Sequence, residues 1–339
     1  MKGTYPYRFL LLLGLLVISF GINISFGSVQ IPFLSTLKEL FTNTSTNESW
    51  SYIIWEYRLP KAFTAILVGS GLSLSGLLMQ TLFRNPLAGP FVLGISSGAS
   101  LGAAFLIMGS GIFSASIMLV NDISLAIASS AGSILVLLAV IAMAQKVKDT
   151  MALLIIGLMF GSITAAVVTV LSYFANADEL QQYIYWSFGT VGNLSSSQVL
   201  LLAFICMLGL LLSILSIKSL NALLLGENYA KSLGVRIQKA RFLIILATGL
   251  LAGSVTAFAG PIAFIGLAVP HLTRQLFNTT DHKILVPGVL IYGAILLLIC
   301  DTIAQLPSSS YVLPINAITS IIGAPVVIWL LVRKRKMIF

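Results

Sequence analysis

Long apolar segments separated by short polar connectors constrain this chain more than any other feature of its sequence. A segment of about 20 mostly apolar residues is long enough to cross the hydrocarbon core of a membrane as a helix. Ten such segments can be placed along the chain, and the eighth is the shortest. They lie at 8–27, 60–82, 92–110, 121–144, 151–172, 197–217, 240–259, 262–273, 284–304 and 316–333. We therefore predict an all-α polytopic membrane protein in which residues 1–339 form a single transmembrane domain.

The composition agrees with a membrane location and argues against several functions. The chain is 58% hydrophobic and 9% charged, whereas soluble domains carry about 25% charged residues. Its net charge of +9 comes from cations in short connectors, so we expect no binding of nucleic acid. Cys206 and Cys300 fall in apolar segments, which argues against a disulfide framework and against a zinc site. We predict that this chain holds no metal.

The distribution of the cations predicts the orientation of the chain. If the N-terminus is inside the cell, 16 of the 19 Lys and Arg residues fall in inner connectors and tails. Only Lys38, Arg58 and Lys61 then fall outside, together with six acidic residues. Inner connectors of membrane proteins are enriched in Lys and Arg. We therefore predict that both termini are cytoplasmic.

The sequence offers little for catalysis. It contains two histidines, His271 and His282, and no H-E-x-x-H motif of a zinc protease. Two G-x-S-x-G strings, at 94–98 and 98–102, lie in a predicted helix, not at the strand-to-helix turn that exposes a nucleophilic serine. The stretch 226–232 resembles a phosphate-binding loop but is one residue short and lacks the glycine before its lysine. We predict that the chain is not an enzyme and binds no cofactor.

The connector 218–241 is the longest predicted cytoplasmic segment. We expect it to form two short helices with glycine turns, and with Leu223, Leu224, Tyr229 and Leu233 on an apolar side. Exposed apolar side chains rimmed by Glu227, Lys231 and Arg236 are typical of a surface that docks a soluble protein. A helix lying on the bilayer, with its basic residues toward lipid headgroups, produces the same pattern. Both interpretations are open at this point.

Three charged residues near the predicted outer face also have two interpretations. Apart from Asp122, at the very start of its segment, Asp301 is the only carboxylate inside an apolar segment. It either couples transport to protons or is merely hydrated or hydrogen-bonded near the end of its helix. Arg58 and Lys61 precede the second segment, where they either anchor the chain at the headgroups or bind carboxylates of an external partner. A proton-coupled secondary transporter that uses Asp301 is therefore an alternative function.

The stretch 80–98 places an arginine, two prolines and three glycines between two apolar segments. The predicted topology makes 84–88 a cytoplasmic turn, in which the arginine bears little desolvation cost. Its prolines and glycines shape that turn and let the third segment pack closely. The residues that we assign to turns and hinges are Arg84, Asn85, Pro86, Gly98, Pro261 and Pro270.

Seven short motifs, in the same order along the chain, resemble the FecCD/BtuC-type permeases of bacterial iron-siderophore, haem and vitamin B12 ABC importers. They are Arg58-Leu-Pro-Lys61, Gly76-Leu-Leu-Met-Gln80, Arg84-Asn-Pro-Leu-Ala88, Leu93-Gly-Ile-Ser-Ser-Gly-Ala99, Gly260-Pro-Ile-Ala-Phe-Ile-Gly-Leu267 with Val269-Pro-His271, Asp301 and Gly323-Ala-Pro325. The resemblance covers the chain from about residue 50 to its end. It implies a type II ABC importer permease fold in a bacterial inner membrane.

The resemblance also implies partners and a mechanism. The permease would pair with a second copy of itself as a homodimer, or with a paralogue, and move an iron chelate or cobalamin by alternating access. Two cytoplasmic ATPase subunits would bind ATP and magnesium. An extracytoplasmic substrate-binding protein would deliver the siderophore, haem or cobalamin. No side chain in the sequence can be tied to one of these substrates.

Roles for individual residues follow from the same resemblance. The ATPase-coupling helices of the family match the connector here, at Leu225, Gly226, Glu227, Ala230, Leu233, Gly234 and Arg236. Arg58 and Lys61 match cations that dock acidic residues of the binding protein, whereas Gln305 stands where a third cation is usual and cannot form that salt bridge. For the translocation path we predict a face of the second helix with small and polar side chains, which would let a bulky chelate pass without holding it. This face is formed by Ser73, Gly76, Met79 and Gln80.

Overall fold

The computed structural model describes residues 5–27, 29–42, 47–109, 121–147, 149–306 and 311–332, and most of these are helical. In chain order the α-helices are α1 (Tyr5–Ser25), α2 (Phe33–Thr42), α3 (Glu48–Tyr52), α4 (Leu59–Leu82), α5 (Ile95–Met108), α6 (Asp122–Lys146), α7 (Thr150–Phe174), α8 (Ala177–Ser187), α9 (Ser196–Leu215), α10 (Ile217–Leu223), α11 (Glu227–Ser232), α12 (Ile237–Ala259), α13 (Ile265–Phe277), α14 (His282–Ala304) and α15 (Ile315–Val332). A π-helical turn at Ile53–Arg58 joins α3 to α4, and a 3-10 turn at Pro90–Leu93 precedes α5. The described residues contain no strand, and the all-α prediction is confirmed.

Each of the ten predicted segments contains a helix. Within the described ranges, seven helical stretches are long and apolar enough to cross a membrane, and α5 and α15 are shorter apolar helices. The seven are α1, α3 to α4 as one continuous stretch, α6, α7, α9, α12 and α14. The eighth predicted segment is α13, with 13 residues. Short helices are tolerated in membranes where neighbouring helices bury their ends, and the chain is a multi-pass membrane protein.

The helices α4, α12 and α14 form the centre of the protomer. In the most apolar window of each, 78%, 72% and 61% of the residues are buried, against 17% in α7. Because α14 has 23 residues, its two ends lie about 33 Å apart, which is close to the thickness of a bilayer core. We refer below to the α11 end, where α10 lies beside the start of α14 and leads into α11, and to the Asp301 end, where α14 finishes.

Glycines let the central helices approach backbone to backbone. Gly76 of α4 lies directly against the carbonyl of Gly266 in α13, and Gly69 lies against the carbonyl of Gly293 in α14. Gly98 of α5 packs in the same way on α6. A Cβ atom at any of these positions would overlap backbone atoms of the neighbouring helix. The predicted close packing of the third segment is therefore confirmed within one protomer.

One of the three prolines assigned to turns and hinges lies within a helix. Pro270 lies inside α13 instead of ending it. A proline cannot donate to the carbonyl four residues earlier, which here belongs to Gly266, and that carbonyl packs against Gly76 of α4. The enclosed position of α13 lets the helix continue without this hydrogen bond. Pro261 does lie in a connector, directly after Gly260, whose φ of +74° ends α12.

Three short helices occupy stretches that the sequence analysis treated as polar connectors. They are α2 and α3, between the first two spanning helices, and α8, between α7 and α9. α8 begins with a capping box, in which Asn176 Oδ1 accepts the N–H of Glu179 and the Glu179 carboxylate accepts the N–H of Asn176. The spacing of these two residues is a sequence signal for a helix start.

Candidate functional site

The predicted connector folds into the two expected short helices, α10 and α11, with glycines at the turns on either side of α11. The φ angles of Gly226 and Gly234 are +102° and +83°, in the region that favours glycine. A Cβ on Gly234 would meet open space, so the backbone conformation and not packing requires glycine there.

Three apolar side chains of this region form an exposed surface that we call the coupling face. Leu225, Tyr229 and Leu233 are 61%, 55% and 59% exposed. Tyr229 and Leu233 are four residues apart and therefore share one side of α11 and its C-cap, and Leu225 directly precedes the turn at Gly226. Ala230, outside this face, is fully buried. Because α11 lies in a connector beyond the ends of α9 and α12, the coupling face is available to a partner at this end.

An ion pair behind the coupling face attaches α11 to the spanning helices. Glu227 Oε1 accepts from Arg241 Nη2 of α12 at 2.6 Å and from Thr150 Oγ1 of α7 at 2.6 Å. Arg241 also donates to the carbonyl of Val147, at the end of α6. Burial on its own raises the pKa of Glu227, but the hydrogen bonds from Thr150 and Arg241 and the charge of Arg241 together hold it below its usual value. Glu227 is thus engaged inside the protomer.

The predicted turn after α4 contacts both the coupling region and α13. Arg84 has a φ of +47°, and its Nη1 lies 3.4 Å from where a Cβ of Gly226 would be. Asn85 Oδ1 accepts the N–H of Leu87 at 2.9 Å, which shapes the turn. The carbonyl of Pro86 is 2.9 Å from Nε2 of His271 in α13. The residues of this turn are therefore positioned as the hinge prediction requires, and the hinge role itself stays a prediction.

A buried polar chain links the coupling region to α14 and α4. Asn221 of α10 donates to Asp281 Oδ1 at 2.8 Å, and its Oδ1 accepts the backbone N–H of His282 at 2.9 Å. The His282 ring, fully buried, lies between Asn221 Oδ1 at 2.7 Å and Thr81 Oγ1 of α4 at 2.9 Å. Burial on its own raises the pKa of Asp281. The hydrogen bonds from the N–H of Lys283 and the amide of Asn221 outweigh this effect, and the pKa lies below its usual value.

The residues predicted to line the translocation path are packed inside the protomer. Ser73, Met79 and Gln80 are fully buried. The Gln80 side chain donates to the carbonyl of Leu267 and accepts from Arg274 of α13. In this conformation these side chains are packed against neighbouring helices, and their role in the path stays a prediction. The small residues that suggested an open face, Ser73 and Gly76, instead make room for the close approach of α13 and α14.

Arg58 does not present its charge to the outside. Its side chain is buried at 8% exposure. The guanidinium donates to the carbonyls of Ile24 and Ser25, both at 2.7 Å, and to that of Val29. These carbonyls lie at and beyond the end of α1, where a helix has no internal donors left. In this structure the side chain caps α1, and the docking of an external carboxylate by Arg58 stays a prediction.

Lys61 and Asp301 form an ion pair at the end of α14. Lys61 Nζ lies 3.1 Å from Asp301 Oδ1, and the side chains are 19% and 3% exposed. The other carboxylate oxygen accepts from Asn23 Nδ2 of α1 and from Gln305 Nε2, each at 2.8 Å. A paired and fully hydrogen-bonded carboxylate fits a structural role better than that of a proton carrier. Lys61 and Asp301 also line a cavity of about 310 Å³ that opens at this end.

Sequence analysis missed several members of these networks. Asn23 and Arg241 lie in or beside apolar segments, where a polar side chain is itself a signal of a buried contact. Asp281 directly precedes α14 and accepts the N–H of Lys283, a pattern visible as an N-cap. Nothing in the sequence indicates the pairing of Asn221 with His282, since 61 positions separate them. In the described residues, no group of three His, Cys, Asp or Glu side chains could hold a metal ion.

The chain is similar to known proteins over nearly all of its length. Residues 15–333 match the FecCD transport family. Over 285 residues, covering 84% of each chain, the sequence is 38% identical to the vitamin B12 import system permease proteins BtuC of Salmonella typhi and of Salmonella newport. The fold matches a metal-chelate type ABC transporter in an inward-facing conformation, with a TM-score of 0.82 and 28% identity over 97% of this chain and 100% of that one. PsaBC from Streptococcus pneumoniae in complex with Fab shares the fold, with a TM-score of 0.53 and 15% identity over 80% of this chain.

Proposed function

Because the chain belongs to the FecCD transport family and is a permease of ABC importers, we propose that it carries an iron chelate, as ferric siderophore or haem, or cobalamin across a bacterial inner membrane. The observation that carries the proposal is the agreement of fold with a metal-chelate transporter over 97% of this chain. The relatives act on vitamin B12 and on metal chelates. Both are bulky coordination compounds of a metal, and this supports bulky metal complexes as the substrate class of this chain.

The coupling face is the proposed contact with the ATPase. Two cytoplasmic ATPase subunits would bind ATP and magnesium, and Leu225, Tyr229 and Leu233 would be buried against one of them. The Glu227–Arg241 ion pair would make α11 move with α12 and α7 when the ATPase closes. The hydrogen bonds that join Asn221, His282 and Thr81 would transmit the same motion to α14 and α4 as well. The permease itself performs no chemistry.

The substrate-binding protein would dock at the Asp301 end. Of the two cations first assigned to this contact, Lys61 is the one that reaches a cavity open to the outside. Its charge is shared with Asp301, so a carboxylate of the binding protein must compete with that partner. Docking by Lys61 is therefore weaker than docking by an unpaired cation.

The arrangement in the membrane follows from the same proposal. With the coupling face in the cytoplasm, both termini lie inside the cell, as the distribution of cations predicts. A second copy of the permease, or a paralogue, would complete a dimer. Since the candidate path face of α4 is buried in the protomer, the substrate would pass between the two copies.

Reconstitution tests the proposal. The permease is placed in liposomes with its cognate ATPase and binding protein, and uptake of cyanocobalamin, haem and a ferric siderophore is measured. We expect ATP-dependent uptake of at least one of the three and none with an ATPase that cannot hydrolyse ATP. Uptake by the permease alone, driven by a pH gradient and lost on substitution of Asp301, would instead establish the proton-coupled secondary transporter.

A further inference from the structure

A basic cavity lies between α11 and the ends of two spanning helices. It has a volume of about 600 Å³, in the range of clefts that hold small ligands. Lys231, Arg236, Lys239 and Arg241 line it, with Glu227 as its only acidic residue. Arg241 and Glu227 neutralise each other. Three positive charges therefore remain, and none of their side chains forms an ion pair within the part of the chain that the structure describes.

The depth and the walls of the cavity fit the headgroup region of a bilayer. α6 ends at Lys146 and α12 begins at Ile237, and both helices are long and apolar enough to span the membrane. The cavity therefore lies where these helices leave the hydrocarbon core. Beside the cations, Ala144, Val147 and Val235 supply apolar wall. Basic pockets between spanning helices at this depth bind the headgroups of anionic lipids.

The cavity and the coupling face lie on opposite sides of α11. Glu227 and Lys231 are four residues apart and share one side of the helix, while Tyr229 lies about 200° away around its axis. A partner that covers Tyr229 and Leu233 therefore leaves the cavity open toward the membrane. This geometry favours a lipid over an acidic surface of the docked protein.

We propose that this cavity binds the phosphate headgroup of an anionic phospholipid through Lys231, Arg236 and Lys239, and so holds α11 against the membrane end of α12. The site is distinct from the substrate path and needs no ATPase. Only its position behind the coupling face rests on the proposed function, so lipid binding can be tested on the permease alone. Failure of transport in the reconstitution experiment would leave this test unaffected.

Native mass spectrometry of the purified permease tests the site. The protein in detergent is titrated with phosphatidylglycerol, with phosphatidylcholine or with inorganic phosphate, and the retained adducts are counted. We expect saturable retention of phosphatidylglycerol alone. Removing two of the three cations, in the variant Lys231→Gln with Lys239→Gln, is expected to weaken this binding about tenfold to 30-fold.

A matched variant separates the cavity from general surface charge. Lys218→Gln with Lys283→Gln removes the same charge from exposed side chains at the α11 end and should retain the lipid as the unaltered protein does. Size-exclusion chromatography checks that both variants are folded. Equal retention by both variants, equal binding of phosphatidylcholine, or equal binding of inorganic phosphate would each overturn the proposal. So would a loss of ATPase binding in the first variant with its lipid retention unchanged.

Discussion

The two ends of the protomer use charged and apolar side chains in opposite ways. At the Asp301 end, Arg58 and Lys61 turn toward the protein, where they hold the carbonyls that end α1 and the carboxylate that ends α14. At the α11 end, the Glu227–Arg241 pair lies behind the helix and Leu225, Tyr229 and Leu233 face outward. The Asp301 end is therefore held together by its cations, whereas the α11 end exposes apolar side chains.

The largest expected effect comes from the coupling face. The double substitution Leu225→Ser with Leu233→Ser removes two exposed apolar side chains that would be buried by the ATPase. Since central interface residues contribute about 2 kcal/mol or more each, we expect the affinity for the ATPase to fall about 100-fold or more. Titration of the ATPase against the permease in detergent measures this change.

A variant at the opposite end serves as the control for the coupling face. Val29→Ser with Leu34→Ser removes two apolar side chains that are 42% and 71% exposed near the Asp301 end. It should bind the ATPase as the unaltered protein does. If the two variants lose affinity equally, the difference between the two ends has no functional meaning.

Arg58 tests whether the Asp301 end is clamped. Arg58→Met keeps the length of the side chain but leaves the carbonyls of Ile24, Ser25 and Val29 without their donor. Hydrogen bonds from a charged group contribute about 1.5 to 3 kcal/mol each and are not strictly additive, so we expect the free energy of unfolding to fall by at least about 3 kcal/mol. Thermal unfolding in detergent measures it, with Lys218→Met, at an exposed position, as the control. A stable Arg58→Met protein with weaker binding of the substrate-binding protein would support the docking role.

The Lys61–Asp301 pair distinguishes a clamp from a docking site. Asp301→Asn keeps the shape of the side chain but removes the charge that faces Lys61, and we expect a loss of stability of about 2 kcal/mol. Lys61, released from its partner, should then bind the substrate-binding protein more tightly. Lys61→Met should weaken that binding, and the two opposite changes are measured by titration. If both substitutions weaken docking alike, the pair itself and not the free cation is the contact.

Asn221 connects the α11 end to the centre of the fold and is expected to have a moderate effect. Asn221→Ala removes the partner of Asp281 and of the buried His282 ring. Leaving a buried polar group unpaired costs about 1 to 3 kcal/mol. We expect a loss of stability in this range, together with ATP hydrolysis that no longer depends on the loaded binding protein. Asn228→Ala, at an exposed position of α11, should change neither.

Much of the fold was predictable because its signals are local. The positions of the spanning helices follow from apolar length, and the turns around α11 follow from Gly226 and Gly234, whose conformations favour glycine. Part of the coupling face was also predictable, since Tyr229 and Leu233 are too apolar for a solvated connector, whereas Leu223, expected beside them, is buried. These features depend on residues close together in the chain.

The contacts that the sequence did not indicate join distant parts of the chain. Arg58 was assigned to an external partner because the carbonyls that it binds belong to residues about 30 positions earlier. Small residues on α4 suggested an open path, whereas Gly76 is small because Gly266 of α13 packs against it. A tryptophan at position 76 should therefore prevent folding and not only block uptake. A small residue in a spanning helix has the same appearance in sequence whether it faces a path or another backbone.

The smallest expected effect is the pH dependence of the attachment of α11. The pKa of Glu227 is lowered in the folded protein by Thr150 and Arg241, so its ion pair contributes stability above the ordinary carboxyl pKa of about 4.3 and loses it as pH falls through the lower, folded pKa. Hydrogen exchange of the amides at 230–233, corrected for intrinsic rates, should be constant from about pH 7 to 5 and should increase below about pH 4. Glu227→Gln should exchange faster at neutral pH and show no such transition. A transition between about pH 7 and 5 in the unaltered protein would mean that burial outweighs Arg241, and the α11 end would then be held by packing and not by its charges.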